Sequence, residues 1–197
     1  MSKVIARDLT RAVTYRQLLA AVQALSVKLA AVLGSESEAG VLMPNAVAHV
    51  TLLFALFRLG KTPAVFNFST GPKNVVDCAA NAGVRTVFTS RAFVERAGLV
   101  ELTQRLAESC RIVYLEDLAA RIGFGDKLAA VFRTCLKDKG QGTSSSRIIL
   151  FTSGTEGRPK GVVLSHDAIL ANIDQASSLI DYTPADRMLN ALPMFHS

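Results

Sequence analysis

The chain has 197 residues, half of them hydrophobic, 19% charged and none tryptophan. This composition fits one globular α/β domain, or a domain and a fraction, and excludes a disordered chain. The net charge of +6 is dispersed over single residues such as Lys28, Arg58, Lys61, Arg85, Arg96 and Arg105. With no Lys/Arg run and no basic stripe interleaved with aromatics, it reads as a solvated basic face or a general attraction to anions, and nucleic acid is not expected as a partner.

In chain order, residues 1–10 carry Lys3, Arg7 and Asp8 with no long apolar run behind them, so they do not form a signal peptide. Thr14 with Gln17 three positions later predicts a capping box. Leu18, Leu19, Val22, Leu25, Leu29 and Val32 then recur at helical spacing until Gly34. After a polar turn, residues 40–43 form a short apolar strand stopped by Pro44-Asn45, and a helix follows over 46–59, closed by Gly60. The stretch 41–57 is the most apolar in the chain. Pro44, Asn45 and His49 interrupt it, and it is shorter than the roughly 20 residues of a membrane span. Residues 63–66 are a second strand. Gly71-Pro72 opens a helix that ends near Gly83, with proline at a favoured first-turn position. A strand at 86–89, a helical stretch over much of 93–108, a strand at 111–115 and a helix over 116–136 complete the first part.

Residues 137–147 are polar and rich in Gly and Ser, which predicts an exposed, mobile connection. An apolar strand at 148–151, a Gly-rich loop, a returning strand at 162–165 and a helix over 167–180 follow. Short apolar strands alternating with helices predict an α/β fold with a largely parallel sheet flanked by helices. The chain divides into 1–136, the connection 137–147, and 148–197. Cys78, Cys110 and Cys135 are too scattered for a metal or redox pair and suit buried thiols in a reducing cytoplasm.

The loop is where chemistry concentrates. It reads Thr152-Ser153-Gly154-Thr155-Glu156-Gly157-Arg158-Pro159-Lys160-Gly161. Glycines let the backbone approach a ligand closely, and successive N–H groups in such a turn form an anion-binding concavity. Thr152, Ser153 and Thr155 add hydroxyls, and Lys160 adds a point charge suited to phosphate. The spacing is neither that of the Walker A loop, where Gly-Lys is followed by Ser or Thr and a helix, nor the Gly-x-Gly-x-x-Gly dinucleotide fingerprint.

The ordered string resembles the signature loop of the adenylate-forming superfamily: acyl-CoA synthetases, luciferases and peptide-synthetase adenylation domains. Thr14-Tyr15-Arg16-Gln17-Leu18, Met43-Pro44-Asn45, Gly60-Lys61-Thr62-Pro63 with Asn67, and Leu192-Pro193-Met194-Phe195-His196 resemble further landmarks of that family, so the likeness covers nearly the whole chain. Several stretches, among them 63–71, 86–93, 114–118 and 151–163, look most like the bacterial bifunctional 2-acylglycerophosphoethanolamine acyltransferase/acyl-[acyl-carrier-protein] synthetase subgroup. Glu156 adds to this, since most of the superfamily has Thr or Ser there. It either faces solvent, pairs with Arg158, or faces the nucleotide beside Mg²⁺.

The resemblance implies ATP as cosubstrate with Mg²⁺. A fatty acid would become acyl-adenylate, and then a thioester with acyl carrier protein or CoA. Thr152, Ser153, Gly154, Thr155, Gly157 and Lys160 are implied to hold the β- and γ-phosphates, and His196 to lie near the acyl-adenylate pocket. In the subgroup the acyl group passes on to a lysophospholipid, which implies the cytoplasmic side and association of the whole protein with the inner membrane. His49 and His166 are expected to be structural, and Asp186 is unassigned. Neither histidine has the His-x₄-Asp acyltransferase spacing, since Phe54 and Ala171 stand in the aspartate positions. The family's adenine- and ribose-binding motifs and its C-terminal lysine are not in these residues. The chain is therefore expected to be an N-terminal fragment, inactive alone, with apolar surface through which it could dimerise. The alternatives are a non-catalytic nucleotide- or phosphate-binding module, and an adenylating ligase for aryl or amino acids.

Overall fold

The computed structural model describes residues 3–123, 146–152 and 159–195. The helix expected beyond 123 and the connection as far as 145 lie outside the described residues, as does Cys135.

The chain begins with an antiparallel hairpin that the sequence pattern did not announce, β1 (Val4–Arg7) and β2 (Ala12–Thr14). Its strands are short and mostly exposed, so no apolar alternation marks them. Asp8 makes the turn: its Oδ1 accepts from the Thr10 N–H at 2.8 Å, the Thr10 hydroxyl at 2.7 Å and the Arg11 N–H at 2.9 Å. Helix α1 (Tyr15–Leu33) follows through the expected capping box, with the Gln17 N–H donating to Thr14 Oγ1 and the Thr14 N–H donating to Gln17 Oε1. Among the described residues α1 is the one helix long and apolar enough to cross a membrane by length and composition. Here its stripe of Leu18, Val22, Leu25, Leu29 and Leu33 is buried in the core.

The remaining elements are β3 (Glu38–Val41), α2 (Val47–Arg58), β4 (Thr62–Val65), a 3₁₀ turn at Phe68–Thr70, α3 (Pro72–Asn81), β5 (Thr86–Thr89), α4 (Arg91–Arg96), α5 (Val100–Ala107), β6 (Arg111–Tyr114), α6 (Leu115–Ala120), β7 (Arg147–Thr152), β8 (Lys160–Ser165) and α7 (His166–Leu179). Two expectations change. The helical stretch over 93–108 is two helices, because the chain turns at Gly98 with φ +66°, a conformation that glycine adopts without steric cost. The helix expected over 116–136 starts one residue earlier and ends at Ala120.

Six described strands form one sheet in the order β6-β5-β3-β4-β7-β8. All neighbours are parallel except β7 and β8. This is the α/β fold expected, with a largely parallel sheet and helices on both faces. Period-two alternation sorts the strand residues, and Leu42 directly after β3, between two cores. Val41, Val65, Phe88 and Ile148 meet α1 and α2 on one face. Leu42, Ala64, Val87 and Ile149 meet α3 and α5 on the other. Gly40 lies where these layers are tightest: a Cβ there would stand 2.8 Å from Phe66 Cε2 and 2.9 Å from Val87 Cγ2. Both cysteines among the described residues are free and buried, and burial, with Asp77 nearby, pushes the Cys78 thiol up to about 11.

Candidate phosphate-binding hairpin and the sheet edge around it

Because β3, β4, β5, β6 and β7 run parallel, their carboxyl ends share one edge of the sheet. That edge gathers the turn after β3, the Asn67–Gly71 segment after β4, Ser90 after β5 and the end of β7 at Thr152. The chain builds β4 on one side of β3 and then crosses to build β5 on the other. Winding thus reverses between β3 and β5, the position at which open α/β sheets form ligand crevices.

The β7–β8 hairpin carries the loop. Its last register pair is Thr152 opposite Lys160, so the strands bring these two residues together at the base of the turn. Thr152 is half-buried and Lys160 exposed. Ser153, Gly154, Thr155, Glu156, Gly157 and Arg158 lie outside the described residues. The base is fixed from two sides. The Asn81 side-chain amide at the end of α3 donates to the Pro159 carbonyl at 3.4 Å. Gly161 sits opposite Phe151, where a Cβ would lie 3.2 Å from Ile149 Cγ2 and 3.3 Å from Phe151 Cε1. The Phe151 ring occupies that space and packs on Phe66 with centroids 5.6 Å apart. Lys160 is therefore presented from the first position of a paired strand and not from a free loop.

A second clamp joins distant segments. Asn45 Nδ2 donates to the Leu192 carbonyl at 2.6 Å, and Asn45 Oδ1 accepts from the Met194 N–H at 2.9 Å. Phe195 is buried and stacks edge-on against Phe68, which meets Phe93 in turn, with centroids 5.0 and 5.1 Å apart. The backbone leading to His196 is held at the carboxyl edge in this way; His196 itself lies outside the described residues. The sequence marked Met43-Pro44-Asn45 as a landmark but gave no sign that Asn45 would grip residues 192–194.

Beside the β5 end, the Ser90 hydroxyl donates to Glu116 Oε1 at 2.7 Å while accepting from the Phe93 N–H. Burial alone would raise the Glu116 carboxyl, but the Ser90 hydroxyl and backbone N–H groups, those of Arg91 and Ala92 included, hold it below its usual range. Arg91 pairs with Asp117 at 2.6 Å and lies 4.0 Å over the Tyr114 ring.

The other candidates have structural surroundings. His49 is fully buried; its Nδ1 is 3.2 Å from the Pro44 carbonyl and its Nε2 has no partner. Burial pushes its pKa down to about 4 against the pull of that carbonyl, so the ring is neutral, with the proton on Nδ1. His166 meets Phe57 edge-on, centroids 4.5 Å apart. Asp186 accepts from the Thr183 N–H at 2.6 Å, a bond that lowers its pKa.

A family model described as "AMP-binding enzyme" matches residues 2–197. The chain is similar to the long-chain-fatty-acid–CoA ligase FadD13 of Mycobacterium tuberculosis, 28% identical over 187 residues that are 93% of this chain and 35% of that protein. It is similar also to 4-coumarate–CoA ligase 5 of Oryza sativa subsp. japonica, 30% identical over 89% of this chain and 33% of the relative. Among solved structures, the o-succinylbenzoate–CoA synthetase of Bacillus subtilis in complex with ATP and magnesium superposes with a TM-score of 0.72, covering 94% of this chain and 46% of that one at 20% identity. The chain thus spans about a third of the length of these two curated relatives.

Proposed function

The chain belongs to the AMP-binding enzyme family, and from that premise we propose that the whole protein is an ATP-dependent acyl-activating ligase in which the β7–β8 hairpin grips the pyrophosphate side of ATP. The observation that carries this reading is the register pair Thr152–Lys160 at the carboxyl edge of the parallel sheet. A hydroxyl and an ammonium stand together there, at the base of a turn whose sequence is rich in glycine and hydroxyl residues.

In the proposed reaction an oxygen of the substrate carboxylate bonds to the α-phosphorus. The bond from that phosphorus to the bridging oxygen breaks, and pyrophosphate leaves with the electron pair. A thiolate then attacks the acyl carbon, and AMP departs. Negative charge grows on the β- and γ-phosphates in the first step. Lys160, held by strand pairing, meets that charge with little reorganisation, the condition under which electrostatic stabilisation is most effective. Among the described residues no cluster of His, Cys, Asp and Glu could hold a metal ion. Mg²⁺ would arrive with the nucleotide phosphates, as is usual for this cation. Support for ATP with magnesium comes from the bound state of the Bacillus subtilis neighbour.

For the acid we take a fatty acid, on the likeness to a long-chain-fatty-acid ligase. An aryl acid is the second reading, favoured by the likeness to a 4-coumarate ligase. For the acceptor we take the thiol of a pantetheine arm, which CoA and acyl carrier protein share; the stretches around Glu156 support the carrier protein. On that finer reading the acyl group goes on to a lysophospholipid at the cytoplasmic face of a membrane. The test is acid-dependent pyrophosphate release by the full-length protein with aliphatic and aryl acids, then thioester formation with each acceptor. Aliphatic acids are expected to give the highest rate. Activity with aryl or amino acids alone would overturn the fatty-acid reading, and nucleotide binding without turnover would leave a non-catalytic module.

A further inference from the structure

A cavity of about 550 Å³ opens at the carboxyl ends of β3 and β5, separated from the β7–β8 hairpin by β4 in the sheet order. It lies at the point of reversed winding described above, and its volume is that of an ordinary small-molecule pocket. Its walls come from three helices and the turn after β3: Ala20, Ala21 and Ala24 of α1, Ala48 of α2, Ala119 of α6, with Met43 between them. Alanine at these positions is what leaves the space, since a larger side chain on either α1 or α6 would fill it.

Most polar groups of the lining are already committed within the protein. The Thr51 hydroxyl donates to the Val47 carbonyl at 2.8 Å, and Ser90 and Glu116 are bonded to each other. Arg11 is the one cation among the described lining residues. The turn fixes its backbone, because its N–H donates to Asp8 Oδ1. The lining is thus mostly apolar, with Arg11 its one cation among the described residues. That combination suits an apolar body with a single diffuse negative charge, and a carboxylate matches the planar fork of arginine. A phosphate dianion would face the Glu116 carboxylate in the same lining.

We propose that this crevice is a second ligand site, for a medium-chain aliphatic carboxylic acid whose chain lies between α1 and α6 and whose carboxylate meets Arg11. The site is independent of the nucleotide grip and does not need Lys160.

The test uses a decanoic acid bearing a diazirine near its methyl end, irradiated with the full-length protein and mapped by peptide mass spectrometry. Label is expected on the α1 and α6 peptides, and excess decanoate should suppress it. Ala21 is exposed, so Ala21→Trp can fill the mouth without disturbing the core and should abolish the label. Arg11→Gln should reduce it about tenfold, the loss of one charge-assisted bond, and Lys160→Ala should leave it unchanged. Absence of label from those peptides, or label indifferent to both Ala21→Trp and Arg11→Gln, would overturn the proposal. Pyrophosphate release is not the readout, so this failure is distinct from failure of the ligase reading.

Discussion

Asn45 spends both its donor and its acceptor on a segment 147 and 149 residues later. Asn45→Ala removes both bonds and leaves the Met194 N–H without its partner. The expected cost is about 1–3 kcal/mol of local stability, read as faster amide exchange over 192–195 with little change over α1. Uniform exchange across the protein would contradict a local clamp. His49 makes a pH-dependent contribution. Its pKa falls from 6.5 to about 4 on folding, so between these values the unfolded chain binds the proton more readily. Stability from this group is complete above pH 6.5 and declines as pH falls towards 4, by on the order of 3 kcal/mol in all. The urea midpoint should show this decline, and His49→Leu should remove it; parallel pH profiles for the two proteins would count against it.

At the scale of elements, the N-terminal hairpin is tied to the sheet edge by Asp8. The residue preceding α2, Ala46, has no side chain able to cap the helix, and Asp8 Oδ2 accepts the Val47 N–H at 2.9 Å from 39 residues away. Burial would raise the Asp8 carboxyl, but this bond and those of its own turn hold it well below the usual range. Asp8→Ala should cost about 0.5–2 kcal/mol, the range for a lost helix cap, with early loss of protection at Val47; an unchanged thermal midpoint would refute the link. These two residues also mark what could be read from the sequence. The Thr14–Gln17 box, the α1 stripe and the strand at 86–89 were legible because capping and apolar period are local signals. The loop's place between two strands was legible from the apolar runs on either side of it, and its anion-binding role is the proposal made above. The reach of Asp8 to Val47 and of Asn45 to Leu192 was not, because it depends on how distant segments pack. The break at Gly98 was hidden because apolar spacing continues on both sides of it.

At the scale of the whole molecule, apolar exposure among the described residues is densest late in the chain. Val163 on β8 and Leu170 and Ile173 on α7 are each more than half exposed, and Met188, Leu189 and Leu192 more so. No residue of α7 is buried. Exposed apolar side chains in this number favour association. The 197-residue chain expressed alone should self-associate in sedimentation velocity as its concentration rises, and Val163→Lys with Leu170→Glu should suppress this. A compact monomer at high concentration would contradict it. The proposed grip lies at the carboxyl edge of the sheet, where strand register sets Lys160 opposite Thr152 and its neighbours Pro159 and Gly161 meet Asn81 and Phe151.

Acid-dependent ATP–pyrophosphate exchange by the full-length protein tests that assignment most directly. The wild type should exchange, and Lys160→Ala should lower the rate by about 10²–10³, the scale of losing one preorganised charge-stabilising group, with its urea midpoint unchanged. Exchange at the wild-type rate in a folded Lys160→Ala protein would contradict the account.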